Sequence, residues 1–305
     1  MGAGSYDSGA YRSYAQSTQG KSTSQIYRSR TLDPYLDPLK IKFRESRDST
    51  DNPLSTPIIV AVDVTGSMGM LADAIARHGL GVLFEGILTR RPVTNPHLMF
   101  MGIGDVRCDV APLQVSQFEA DNRIVEQLTK IWIEHGGGGN FGESYDLAWY
   151  FAAYKTVHDS IEKRGKRGYL FTVGDEPPPP GLTVDTVKQF IGDDVESDAI
   201  LSPAETLAAA RRKYDCYHLI VEEGQAGSHP QEYRDLWTNL MGESVILLPD
   251  HKKLAEVIVS AIEVAEGRDA TASAQNWADD QTRKIVHAAI KALPRGRNNP
   301  QLSAP

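Results

Sequence analysis

The hydrophobic pattern changes character at residue 57. Residues 57–64, Pro-Ile-Ile-Val-Ala-Val-Asp-Val, form a near-continuous apolar run. Such a run reads as a strand buried on both faces. After a short polar turn, helical spacing sets in over about 70–88, with Leu71, Ala74, Ile75, Leu83, Ile87 and Leu88 among its apolar positions. Residues 97–106 read as a second buried strand. Residues 119–133 read as a helix with Ile124, Val125, Leu128, Ile131 and Trp132 on one side. A glycine run at 136–139 precedes a helix over about 144–161, and 168–176 is a strand ending in two acids. A proline-rich insertion with a short helix fills 177–200. Helix 203–213, strand 216–221, helix 230–241, strand 244–248 and an amphipathic helix at 250–265 complete the series. Strands alternating with helices predict an α/β fold, a Rossmann-like three-layer α/β/α sandwich with a mostly parallel central sheet.

The ends have a different texture. Residues 1–30 are rich in Ser, Tyr, Gly and Gln, with scarcely an aliphatic residue before Ile26. Asp33-Pro34, Asp37-Pro38 and Asn52-Pro53 favour turns and extended chain. The expectation for residues 1–54 is a disordered leader and tether, because so little apolar area cannot offset the chain entropy. Residues 55–266 then form the folded domain. Residues 267–305 are expected to be a flexible tail with one helix at about 279–293.

Composition adds limits. The chain has 305 residues, 41% hydrophobic and 24% charged, which is ordinary globular composition. No run approaches the roughly 18 apolar residues of a membrane span, and the N-terminus lacks the apolar core of a secretory signal. A cytoplasmic protein without membrane contact is expected. Two cysteines, Cys108 and Cys216, exclude a disulfide scaffold and a cysteine zinc site; both read as small buried hydrophobes. The net charge of −8 is uneven, with the acidic excess concentrated in 51–266 and a basic excess at each end. An acidic middle argues against a nucleic-acid-binding face.

In an open α/β sheet, ligands bind beyond the carboxyl ends of the strands. Asp63, Thr65 and Ser67 follow the first strand, and Asp105 follows the second. Asn140 and Glu143 lie in the glycine loop, and Asp175 and Glu176 end the later strand. All are oxygen donors, which suit Mg²⁺, Mn²⁺ or Ca²⁺. In the D-x-T-x-S turn, alternate residues can point at one spot, with both hydroxyls as ligands and Asp63 holding metal-bound water. Each residue also has a plainer use. Asp63 and Ser67 can cap the next helix, Asp105 and Asp175 can stabilise turns, and Glu143 can be a favourable acid in a first helical turn. The glycines serve close backbone approach, and no Lys-Ser or Lys-Thr follows to make a phosphate cradle. His135, His158, His218, His229 and His251 lack ligand spacing. Trp132, Trp149 and Trp237 read as core anchors.

Residues 57–67, PIIVAVDVTGS, resemble the first strand and metal-ion-dependent adhesion site of the von Willebrand factor A (VWA) family. That pattern is D-x-[ST]-x-S, then a Thr after a glycine-rich loop, then an Asp after the fourth strand. The resemblance covers about residues 55–266. It implies a metal set of Asp63, Thr65, Ser67 and Asp175, with Asn140 at or beside the place of the missing Thr. Asp105, Glu143 and Glu176 would surround that set. It implies a non-enzymatic module that binds a partner's Asp or Glu through a divalent cation, Mg²⁺ first. Intracellular members of the family often work with AAA+ ATPases or within multiprotein assemblies.

Two other classes compete. A metal-dependent hydrolase, such as a phosphatase of the haloacid dehalogenase type, needs a second Asp two residues after the first. Thr65 stands there and does no acid–base work near neutral pH. A structural assembly protein with a non-functional metal site is the third reading, motivated by the missing Thr.

Overall fold

A computed structural model describes residues 4–65, 68–134, 142–193 and 200–296. The five apolar runs become strands β1 Thr56–Asp63, β2 Pro96–Ile103, β4 Gly168–Gly174, β5 Tyr214–Val221 and β6 Val245–Leu248, and a short strand that the pattern did not predict, β3 Leu113–Val115, joins them. They form one sheet in the order β3-β2-β1-β4-β5-β6. Only the β2–β3 pairing is antiparallel. This is the order of a doubly wound α/β sheet.

Period-two alternation divides the core. Ile58, Val60 and Val62 of β1 face one apolar cluster, together with Tyr169, Phe171 and Val173 of β4. Ile59, Ala61 and Leu170 face the other. The first cluster is closed by helical residues 69–90 and by the helix Leu254–Ala265. Helices Tyr145–Tyr154, Pro203–Arg211 and Pro230–Met241 close the second. Helix, sheet and helix therefore make three layers, as the alternation of elements predicts. No described helix is long and apolar enough to cross a membrane.

The helix at 69–90 contains a turn of π-helix at Ile75–Gly79, which inserts one residue into the helical repeat. The helix expected over 119–133 is confined to Arg123–Thr129, and Trp132 beyond it is only half-buried. The helix expected over 144–161 stops at Tyr154. The β-branched Thr156 and Val157 instead join a short strand, Thr156–His158, which pairs in parallel with Arg44–Ser46.

That pairing belongs to a larger departure. Residues 4–54 do not form the expected disordered leader. A helix spans Ser8–Thr18, with Asp7 accepting from Gly9 N at 2.7 Å and Ala10 N at 3.1 Å. Tyr6 stacks on Phe84 at 4.7 Å between ring centroids. Tyr27 is buried, and its hydroxyl donates to Ala72 O at 2.5 Å. Leu36 is buried, and its carbonyl accepts from Val115 N at 2.9 Å. Counting aliphatic residues missed the apolar area that tyrosine rings carry. The C-terminal tail also differs. It has two helices, Ala270–Gln275 and Asp280–Ile290, and Val286 and Ile290 join the first core cluster. Of the cysteines, Cys216 is buried as expected but Cys108 is exposed on a loop.

Candidate functional site

β1 and β4 are neighbours in the sheet, with Val62 beside Val173. From β1 the chain winds toward β2, whereas β5 lies on the far side of β4. The crevice beyond their carboxyl ends is therefore the topological switch point, where α/β sheets bind ligands. Asp63 ends β1, and Asp175 is the first residue after β4. Both are buried. Strand pairing thus unites two residues that stand 112 positions apart in the chain.

Asp63 Oδ1 accepts from Thr65 N at 2.8 Å and from Thr65 Oγ1 at 2.7 Å. Thr65 Oγ1 also lies 3.3 Å from Glu143 Oε1. Asp175 Oδ2 accepts from Gln225 N at 2.6 Å, at the first residue of the short helix Gln225–Ser228 that follows β5. Asp63 Oδ2, Glu143 Oε2 and Glu176 Oε2 are buried atoms without hydrogen-bond partners among the described residues. Ser67, Asn140, the glycines 136–139 and His135 lie outside the described residues.

Asp105 takes its plainer role. Its Oδ1 accepts from Arg107 N and Arg107 Nε, each at 2.9 Å, and its Oδ2 pairs with Arg107 Nη2 at 2.8 Å. Arg107 Nη2 also donates to Gly142 O at 2.8 Å. Ser144 N donates to Gly104 O at 3.0 Å, and Val106 N to Ser144 Oγ at 3.1 Å. The 104–107 loop is in this way laced to the segment that carries Glu143.

Sequence reasoning missed Arg107 and Tyr145. Tyr145 is fully buried, and its hydroxyl has no partner among the described residues. A Cβ on Gly174 would fall 1.9 Å from that oxygen, so the hydroxyl sits directly over the residue before Asp175. An aromatic residue opening an apolar helix carries no signal of this in sequence. His158 and His218 are buried. Thr172 Oγ1 is 2.9 Å from His218 Nδ1, and Trp237 is stacked on the His218 ring.

The electrostatics follow from burial. Desolvation pushes the Asp63 carboxyl up, and the charges of Asp175 and Glu176 push it further. Burial first, and Asp63 next, raise Glu143. Burial raises Asp175 as well, and burial with the Asp175 charge lifts Glu176 to about 7. Four buried or half-buried carboxyls thus share one crevice with too little positive charge around them. A hard divalent cation with oxygen ligands would satisfy the unpartnered atoms and favour the ionised forms. Asp63, Thr65, Glu143, Asp175 and Glu176 fit such an ion in donor chemistry. Among the described residues, no three of these acids bring ligand atoms mutually within 4.8 Å. Among the described residues, the one group of three His, Asp or Glu ligand atoms mutually within 4.8 Å is Glu223, Asp250 and His251, at the surface beyond β6. There Glu223 Oε2 already engages His251 Nδ1 at 2.6 Å and His251 N at 2.7 Å.

No protein-family model matches the chain, and no curated protein does. Among solved structures it is similar to part of the pilus adhesin SpaC from Lactobacillus rhamnosus GG in its open conformation. Identity is 10% and the TM-score 0.43, over 72% of this chain and 31% of the adhesin. A second form of that adhesin aligns with 8% identity and a TM-score of 0.44, over 72% and 32% of the two chains. The chain spans about a third of the adhesin's length.

Proposed function

We propose that this protein is a non-catalytic, cytoplasmic binding module of the VWA type. Its crevice at the switch point holds a divalent cation, Mg²⁺ or else Mn²⁺ or Ca²⁺, and the cation accepts an Asp or Glu side chain from a protein partner. The observation that carries this reading is Asp63. It is wholly buried, one carboxylate oxygen is fixed by Thr65 and the other has no partner among the described residues, and Asp175 follows directly on the neighbouring strand. A buried carboxylate without a counter-charge is costly, so a cation at this place gives the arrangement a physical purpose. Asp63, Thr65 and Asp175 would hold the ion directly or through water, with Ser67 and Asn140 as further ligands by resemblance. Asp105 supports the rim through Arg107.

The acidic centre of the chain would repel an acidic partner at long range. The cation must then supply the local attraction, and the basic ends can add contacts elsewhere. The resemblance to the family implies a subunit of a multiprotein assembly or an AAA+ ATPase as that partner. The test is titration calorimetry with Mn²⁺ on wild type, Asp63→Asn and Asp175→Asn, paired with capture from the source cell with and without EDTA. Saturable Mn²⁺ binding lost in both variants, together with EDTA-sensitive capture lost in Thr65→Ala, supports the proposal. Absence of metal binding at millimolar concentration rejects it in favour of a purely structural role. Metal-dependent turnover of phosphomonoesters that Asp63→Asn abolishes rejects it in favour of an enzyme.

A further inference from the structure

In the crevice an acid stands against the Thr65 hydroxyl. Glu143 is 7% exposed, and its Oε1 lies 3.3 Å from the Thr65 hydroxyl. Its Oε2 is buried and unpartnered. A second observation marks the same spot. The fully buried Tyr145 hydroxyl, also unpartnered, stands over Gly174 beside Asp175. The backbone around Glu143 is clamped. Arg107 holds Gly142 O, and Gly104 O accepts from Ser144 N. Glu143 is therefore built into the crevice.

We infer that Glu143 is a resident carboxylate that competes with the partner's acidic side chain for the cation. The inference rests on the proposed function and adds its regulation. A carboxylate beside a ligand hydroxyl raises the negative charge of the site, and with it the affinity for a hard cation. The same charge lowers the residual positive potential that an incoming Asp or Glu would meet. The site is self-satisfied until a partner displaces Glu143. Displacement strains the Arg107–Gly142 and Ser144–Gly104 contacts, so it requires the 104–107 loop to yield.

The experiment uses the full chain with Mn²⁺ as the ion and propionate as the probe for a Glu side chain. Mn²⁺ affinity is read by calorimetry, and water-proton relaxation reports propionate displacing water from the bound ion. Glu143→Gln keeps the shape and an oxygen for Thr65 but removes the charge. It is expected to weaken Mn²⁺ binding about tenfold while tightening propionate on the Mn²⁺-loaded protein about fivefold. Relaxivity of its bound Mn²⁺ before propionate should also rise, as a coordination position opens to water. Glu143→Asp, with the carboxylate withdrawn by one methylene, should change both affinities in the same directions but less. It serves as the reporter if the Gln variant does not fold by circular dichroism. Propionate binding that is unchanged or weaker in the folded variant overturns the inference while wild-type Mn²⁺ binding leaves the proposed function standing. A wild type that binds no Mn²⁺ overturns both.

Discussion

At the residue scale, the decisive feature is how few charges compensate the acids of the crevice. Asp63 has two bonds to Thr65 and an unpartnered Oδ2. Thr65→Ala removes the hydroxyl that touches both Asp63 and Glu143. Mn²⁺ affinity should fall at least about tenfold, or about 1.4 kcal/mol, with far-ultraviolet circular dichroism unchanged. Tyr145→Phe deletes a buried hydroxyl without a partner. Relieving such a group is worth about 1 kcal/mol, so the metal-free variant should unfold at higher urea than wild type. A lower urea midpoint would mean that the hydroxyl has a partner in solution. The raised carboxyls also fix the sign of the pH dependence. Their folded-state values lie above the unfolded ones, with Glu176 at about 7, so the folded state holds more protons between about pH 4.5 and 7. In EDTA, stability from these groups is fully present below the unfolded values and lost as pH rises through the folded ones. The melting temperature should therefore drop from pH 5.5 to 8, and added Mn²⁺ should reverse that drop.

At the element scale, two parts of the structure lie outside the alternating pattern. The N-terminal helix docks on residues 80–90 through tyrosine rings, and Gly81 leaves room for Tyr11. A Cβ there would meet the Tyr11 ring at 2.3 Å. Gly81→Ala should release this helix. Limited proteolysis should then cut near Lys21 faster than in wild type, with Mn²⁺ affinity unchanged. At the other end, Glu263 of the helix Leu254–Ala265 is buried and accepts from Arg90 Nε at 2.9 Å. Arg268 and Ser273 complete its shell, and Arg90 lies 4.3 Å over the Trp277 ring. Arg90→Ala strips a buried carboxylate of its main partner and should cost about 3 kcal/mol in urea unfolding. Arg90→Lys should recover only part of that, because one ammonium cannot make the paired contact.

At the scale of the whole molecule, the crevice exists only when the sheet is complete, so cation binding and folding are linked. At 100 times its dissociation constant, an ion bound only to the folded state adds about 2.7 kcal/mol. EDTA should remove that increment from wild type and leave Asp63→Asn unaffected. The sheet itself was legible in the chain. The run Ile58–Val62 is apolar at every step and Tyr169–Val173 at every step but Thr172, and a strand covered on both faces requires such runs. The leader was not legible, since aliphatic counting undervalues Tyr6, Tyr11 and Tyr27. Nor was the break after Tyr154, where Thr156 and Val157 favour extended chain only because Arg44–Ser46 lies alongside.

The sequence by itself determined the order of strands and helices, the α/β class, and the oxygen chemistry of the turn at Asp63 and Thr65. These are local properties, set by hydrophobic period and by donor type. Tertiary structure alone decided which acids meet. It brought Asp63 beside Asp175, set Glu143 against Thr65, turned Asp105 back onto Arg107 and placed the Tyr145 hydroxyl over Gly174. Those distances depend on strand register and sheet order, which are fixed by packing across the whole domain rather than by any stretch of the chain.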